Sequence, residues 1–167
     1  MEEKMHLTEP AKVFAPQIRV YRQEFLASGE SMDGTSHLRH YEDPLDWIDC
    51  LHTAGERQYL YVRETDGKIV GMLQIRQLAN PYLERFGGNI GYSVAPSERR
   101  KGYAARMLRD ALPKCRELGM EKVLVTCLKG NEGSRKTILK NGGRYESTVY
   151  DAEGEKAEVE RYWIGLE

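Results

Sequence analysis

Gly91-Tyr-Ser-Val-Ala-Pro-Ser-Glu-Arg-Arg-Lys-Gly-Tyr-Ala-Ala-Arg-Met-Leu108 is the stretch that decides the fold. A short apolar strand ends at Val94, Pro96 closes it, the basic residues Arg99, Arg100 and Lys101 follow, and Gly102 opens an amphipathic helix. N–H groups at a helix start have no partner within the helix, and the helix dipole adds partial positive charge there. A glycine in such a turn lets a bulky anion approach the main chain. An isolated Lys/Arg cluster is most often a solvated surface turn. Here Pro96 fixes the turn, and Gly102 and Ala104 keep the helix start small. A strand-to-helix junction with its next strand close behind is also where α/β sheets hold ligands. The segment is therefore read as a phosphate-holding turn. It contains neither G-x-x-x-x-G-K-[ST] nor G-x-G-x-x-G, which argues against a Walker loop and a dinucleotide fold.

Outward from this turn the period of the apolar residues assigns the elements. Gly102 to Leu118 is an amphipathic helix with Ala105, Leu108, Ala111, Leu112, Cys115 and Leu118 at helical spacing; Pro113 predicts a kink or a weak turn, and Gly119 a C-cap. Lys122 to Leu128 is an apolar strand, and Asn131 to Asn141 a short helix stopped by Gly142-Gly143. Arg144 to Tyr150 and Glu158 to Ile164 form a last hairpin. Upstream, Gln58–Glu64 and Lys68–Gln77 flank Thr65-Asp66-Gly67, a hairpin signal. Asn80 to Gly88 is a polar connection, and Asn89 to Val94 the strand before the turn. Residues 5–9 suggest a first strand and Ala11 to Ser28 a helix, with Pro16 weakening its first turn. A second helix starts at Asp43-Pro44 and ends near Gly55. The chain is expected to be one α+β unit over residues 1–167, its strands mostly antiparallel, with a strand–helix–strand crossover in the middle.

Bulk properties agree. A chain of 167 residues with 40% hydrophobic and 31% charged residues suits a globular fold. The formal net charge of −1 gives no reason to expect a nucleic-acid or membrane-surface partner. Cys50, Cys115 and Cys127 are odd in number and contain no C-x-x-C, arguing against a disulfide framework and a zinc site. Free thiols, with no signal-peptide pattern and no apolar run long enough to span a membrane, lead to the expectation of a cytoplasmic protein without metal.

The turn also matches Arg-x-x-Gly-x-Ala through Arg99, Gly102 and Ala104. After the next strand, Asn131-Glu-Gly-Ser134-Arg-Lys-Thr-Ile-Leu-Lys-Asn-Gly-Gly143 sets an Asn and a small residue three positions on ahead of a helix ending in Gly. Together, about 30 residues apart and in this order, the two motifs resemble those of the GNAT (Gcn5-related) N-acetyltransferase superfamily over about residues 58–164. The resemblance implies a GNAT-like fold: a mixed, mostly antiparallel central sheet with helices on both faces. It implies acetyl-CoA as acyl donor and a primary amine, small-molecule or peptide, as acceptor. The main-chain N–H groups of Arg100, Lys101, Gly102, Tyr103, Ala104 and Ala105 would hold the pyrophosphate. Arg99, Arg100 and Lys101 would add charge. Ser93 and Val94 would pair with the pantetheine amides, and the Val94 N–H would stabilise the oxyanion. Asn131 would bond pantetheine, and Ser134 would cap the helix or contact the cofactor; Asn131 is equally read as a helix N-cap. A homodimer is common for the fold.

One position departs from the family pattern. Many members carry a Tyr seven residues after the Asn, as the acid for the departing thiolate; here it is Ile138. Tyr145, Tyr150 and Cys127 are the alternative donors, although a small strand Cys is more commonly packing. Glu84 is the ionisable carboxylate on the segment before the thioester strand, and so the candidate base, acting through a water; a solvated loop glutamate is the plainer reading. His37, His40 and His52 fall in the region that commonly lines the acceptor pocket. Tyr41, Trp47, Tyr82 and Phe86 either line that pocket or pack. No Ser or Cys nucleophile with a partner base is evident, so direct attack in a ternary complex is expected. A CoA-binding sensor that has lost turnover is the alternative.

Overall fold

In a computed structural model, residues 2–54 and 57–167 are described. The helix end expected near Gly55 lies outside them. In chain order the elements are β1 (Met5–Thr8), α1 (Ala15–Ser28), α2 (Pro44–Ala54), β2 (Arg57–Arg63), β3 (Ile69–Ile75), β4 (Ile90–Val94), α3 (Tyr103–Glu117), β5 (Lys122–Leu128), α4 (Glu132–Lys140), β6 (Arg144–Asp151) and β7 (Ala157–Gly165). The strands form two sheets, ordered β1-β2-β3-β4 and β5-β7-β6. The chain divides into two compact units, Met1–Ile75 with Tyr92–Tyr103, and Arg76–Gly91 with Ala104–Glu167.

In the first unit, α1 starts with Pro16 in its first turn and stops at Gly29, whose φ of 72° is left-handed and whose N–H donates to Phe25 O at 3.1 Å. It buries Ile18, Tyr21 and Phe25, one face of a helix. The Asp43 carboxylate accepts the Leu45 N–H at 2.9 Å, as its capping position predicts, and α2 buries Trp47, Ile48 and Leu51. These side chains pack with Leu60, Val62, Ile69, Met72 and Ala95 in one core cluster. Each fully buried aliphatic there contributes about 1.5–3 kcal/mol. Trp47 belongs to this core and donates its indole N–H to Thr35 O at 2.9 Å, so it packs rather than lining a pocket. The β2–β3 hairpin turns at Gly67 (φ 68°), with the Asp66 carboxylate accepting the Lys68 N–H at 3.2 Å.

In the second unit, Met107, Leu108, Ala111 and Cys115 of α3 and Val123, Leu124, Val125 and Cys127 of β5 are buried. α3 runs unbroken through Pro113. The expected polar connection 80–88 is partly helical: Leu83–Gly87 forms a single wide turn, closed by Gly88 N–H to Leu83 O at 2.7 Å. The Asn80 side chain caps it, accepting the Leu83 N–H at 2.9 Å. One turn carries too few residues for a period to show in sequence. The antiparallel pairing of the expected fold is divided between the two sheets. The Asn89 N–H donates to Leu124 O at 2.8 Å, but its side-chain oxygen, not its carbonyl, accepts the Leu124 N–H at 2.7 Å. A side chain standing in for main chain does not propagate a ladder. Gly88 (φ 72°) permits this approach, since a Cβ there would lie 2.7 Å from Leu124 O.

Candidate functional site

The edge of β4 comes first. Ala95 N–H donates to Val70 O at 2.8 Å, and Arg76 N–H donates to Asn89 O at 2.7 Å. Both fix the same antiparallel register, which turns the backbone of Gly91, Ser93 and Ala95 toward β3. Alternation turns the N–H of Tyr92 and Val94 to the opposite edge, where the first sheet ends. Val94 itself is buried as a side chain, so its backbone is what the edge presents. Ser93 differs from expectation: its backbone faces β3 and its hydroxyl shares a 2.9 Å hydrogen bond with the Tyr21 phenol. Burial raises that phenol well above its ordinary pKa, more than the Ser93 bond lowers it.

The turn that follows is built around an acid that sequence reading passed over. Glu98, 5% exposed, accepts from Arg63 Nη1 at 2.7 Å, Lys101 Nζ at 2.9 Å and Lys68 Nζ at 3.1 Å. Burial works against its charge, but the hydrogen bonds from Arg63, Lys101 and Lys68 outweigh it and hold the carboxyl at about 2. Arg99 Nη1 lies 2.8 Å from both carboxylate oxygens of Glu30, with its guanidinium 5.9 Å from the Phe25 ring centre. Two of the expected phosphate-facing cations are thus already matched by carboxylates. Among the described residues, Arg100 has no such partner, and it sits at a left-handed φ of 63°. Gly102 has a φ of 83°, and a Cβ added there would meet nothing within 4 Å. The Tyr103 phenol accepts from Arg63 at 3.1 Å and donates to Glu3 at 2.6 Å. As the first residue of α3 it begins the run of N–H groups, continued by Ala104 and Ala105, that a helix start leaves without carbonyls.

In the second unit, Asn131 is an N-cap: its side-chain oxygen accepts the Ser134 N–H at 3.2 Å and its carbonyl accepts Arg135 N–H at 3.0 Å. The far end of the same helix is tied back by Asn141, whose amide donates to Ala105 O at 3.1 Å and Thr137 O at 3.0 Å. Asn141 thereby sets the start of α3 against α4. Its signal in the sequence was only that of a helix end. Ile138 is fully buried, and a Cβ on Gly143 would collide with it. The position usually given to a tyrosine is therefore packed apolar core.

The remaining proton carriers are dispersed. Glu84 is exposed and borders an open cavity of about 400 Å³ with Pro81, Arg85, Glu146, Ser147 and Arg161. Arg161 fixes that border, donating to Glu84 O at 2.6 Å, Arg85 O at 2.7 Å and Glu146 Oε1 at 2.9 Å. The Tyr82 hydroxyl donates to Asp151 at 2.7 Å, and the same carboxylate holds the Gly154 and Glu155 N–H groups of the β6–β7 turn. Tyr82 thus braces a loop. Tyr145 is exposed with its hydroxyl bonded to Thr148 at 2.7 Å, and Tyr150 is exposed. Burial, then Glu160, pushes the Cys127 thiol up to about 11, which keeps it neutral and poorly nucleophilic. In the first unit, His37 and His40 are exposed with ring centres 6.1 Å apart, and Tyr41 donates to Cys50 Sγ at 3.1 Å. Among the described residues no cluster of His, Cys, Asp and Glu is suited to a metal ion, and no helix is long and apolar enough to cross a membrane.

The first unit thus carries a glycine turn after an edge strand, and the second an Asn-capped helix after β5. Residues 19–142 match the acetyltransferase (GNAT) family, and the chain belongs to that family. Solved structures share the fold. A ribosomal-protein-S5-alanine acetyltransferase from Vibrio fischeri is 17% identical with a TM-score of 0.73, covering 100% of this chain and 96% of that one. A ribosomal L7/L12 alpha-N-protein acetyltransferase in complex with coenzyme A is 15% identical with a TM-score of 0.73, covering 99% and 96%. A dodecameric spermidine N-acetyltransferase from Vibrio cholerae is 15% identical with a TM-score of 0.68, covering 97% and 94%. No curated protein matches the chain in sequence.

Proposed function

We propose that the protein is an N-acetyltransferase that moves an acetyl group from acetyl-CoA to a primary amine by direct attack in a ternary complex, with residues 1–167 acting as one acyltransferase domain. The observation that carries this is the Gly102 turn, left-handed and open to solvent at the start of α3. In this reading the N–H groups of Arg100 to Ala105 hold the pyrophosphate and Arg100 adds charge. Arg99 exchanges its carboxylate partner for phosphate, Lys101 adds charge while bonded to Glu98, and Asn131 and Ser134 meet pantetheine. The Val94 N–H stabilises the oxyanion as the amine nitrogen bonds to the acyl carbon. Before that attack Glu84, through a water, takes the proton that the ammonium form of the amine must lose to free its lone pair. The C–S bond then breaks. A thiol of ordinary pKa about 8.5 leaves as thiolate with little need of an acid, so the apolar Ile138 does not forbid turnover.

Ile138 does favour a second reading, a CoA-binding sensor with the same fold. Acetyl-CoA is titrated by thermal shift, and release of free thiol is followed with a panel of amines: small amines, polyamines, amino acids and peptides. Binding with thiol release supports the enzyme, binding without release on any amine supports the sensor, and absence of binding refutes both. A cytoplasmic location and a homodimer complete the reading. The assembly is tested by light scattering.

A further inference from the structure

We propose that Glu98 is the positioning residue of the phosphate turn, a buried counter-charge whose bonds to Arg63, Lys68 and Lys101 hold the turn in its anion-binding shape before the cofactor arrives. This rests on the donor reading above. The turn needs support, because Arg100 and Gly102 both hold left-handed φ, which a free chain does not favour for arginine. Glu98 anchors it from both sides. Its own N–H is bonded to Ala95 O at 2.8 Å, and Lys101, inside the turn, reaches back to its carboxylate. Arg63, at the end of β2, joins Glu98 to the Tyr103 phenol, so the residues before and after Arg99–Gly102 share one guanidinium. Lys68 adds Ser97 Oγ at 3.0 Å, fixing the approach to the turn.

The physical gain is pre-organisation. Fixing a residue's backbone costs conformational entropy, and a turn ordered in advance spares the ligand that cost for several residues. A carboxylate beside an anion site would otherwise repel phosphate, but three cations surround this one. An acidic residue in a basic run is thus a support rather than an anomaly. Its partners lie as far as 35 residues away in sequence, which hides the role from motif reading.

The test measures acetyl-CoA affinity by calorimetry and amide hydrogen exchange across the chain for the wild-type protein, Glu98→Gln and Lys68→Met. The expected result is at least tenfold weaker acetyl-CoA binding for Glu98→Gln, with faster exchange confined to residues 96–106. Lys68→Met, which removes one partner of Glu98 together with the bond to Ser97 Oγ, should lose about threefold with the same local exchange pattern. It decides the matter if Glu98→Gln does not fold. Unchanged affinity in folded variants, or faster exchange spread over the whole chain, overturns the proposal. Failure of the wild-type protein to bind acetyl-CoA would instead remove the donor reading, while the exchange pattern still reports whether Glu98 holds the turn.

Discussion

Replacing Gly102 separates the phosphate reading from ordinary turn chemistry. Its φ is 83°, a conformation that costs an L-residue roughly 1–2 kcal/mol. An added Cβ would meet no protein atom within 4 Å, so no clash adds to that strain. Gly102→Ala should therefore fold and lose only about 1–2 kcal/mol, a drop in Tm of about 2–8 °C for a chain of this size. Gly119 supplies the control: its φ is 88° and its Cβ direction is equally empty. Gly119→Ala should lose the same stability. Acetyl-CoA affinity should part the two. On the proposed reading, the new side chain at Gly102 enters the space through which phosphate would reach the helix-start N–H groups. Calorimetry should show Gly102→Val weakened at least a hundredfold, about 2.8 kcal/mol, with Gly119→Ala unchanged. If Gly102→Val binds acetyl-CoA as the wild type does, or if Gly119→Ala loses as much, main-chain phosphate binding at this turn is wrong.

Arg99→Ala should weaken acetyl-CoA by only three- to tenfold in the same calorimetric assay, because Glu30 already shares that guanidinium; a hundredfold loss would move the main contact from backbone to side chain. Ile138→Tyr should lower stability by about 1–3 kcal/mol without raising thiol release, since the site is fully buried and has no room for a ring; faster turnover would contradict this. Cys50 is exposed whereas the Cys115 and Cys127 thiols are pushed up to about 11, so an aromatic disulfide reagent at neutral pH should modify Cys50 rapidly and the other two only on denaturation. The Glu98 carboxyl is depressed from 4.5 to about 2, so its contribution is complete above about 4.5 and is lost as pH falls toward 2. Acid-denaturation curves should flatten over that window in Glu98→Gln, and an unaltered curve would count against the cluster.

Local signals were legible in the sequence because they depend on neighbours along the chain. Asp43-Pro44 opens α2 through a side chain two residues from its target, and Asp66-Gly67 turns the hairpin in the same way. Gly102, Ala104 and Asn131 marked the starts of α3 and α4 because a helix start and its cap are built from consecutive residues. Ile138 was legible as a missing tyrosine, though not as core. The helical turn at Leu83–Gly87 was not legible, being too short to show a period.

What the sequence by itself determined is the order of elements, the glycine turn after β4 and the family to which the chain belongs. Only the tertiary structure decided which charges near that turn are already matched. Glu98 meets Arg63 and Lys68, and Arg99 meets Glu30 across 69 residues of chain. It also decided that Val94 rather than Ser93 presents its N–H at the strand edge, because a register shared with β3 sets which backbone groups are left over. A one-residue change in register would exchange the two, and no local preference of Ser or Val selects between them.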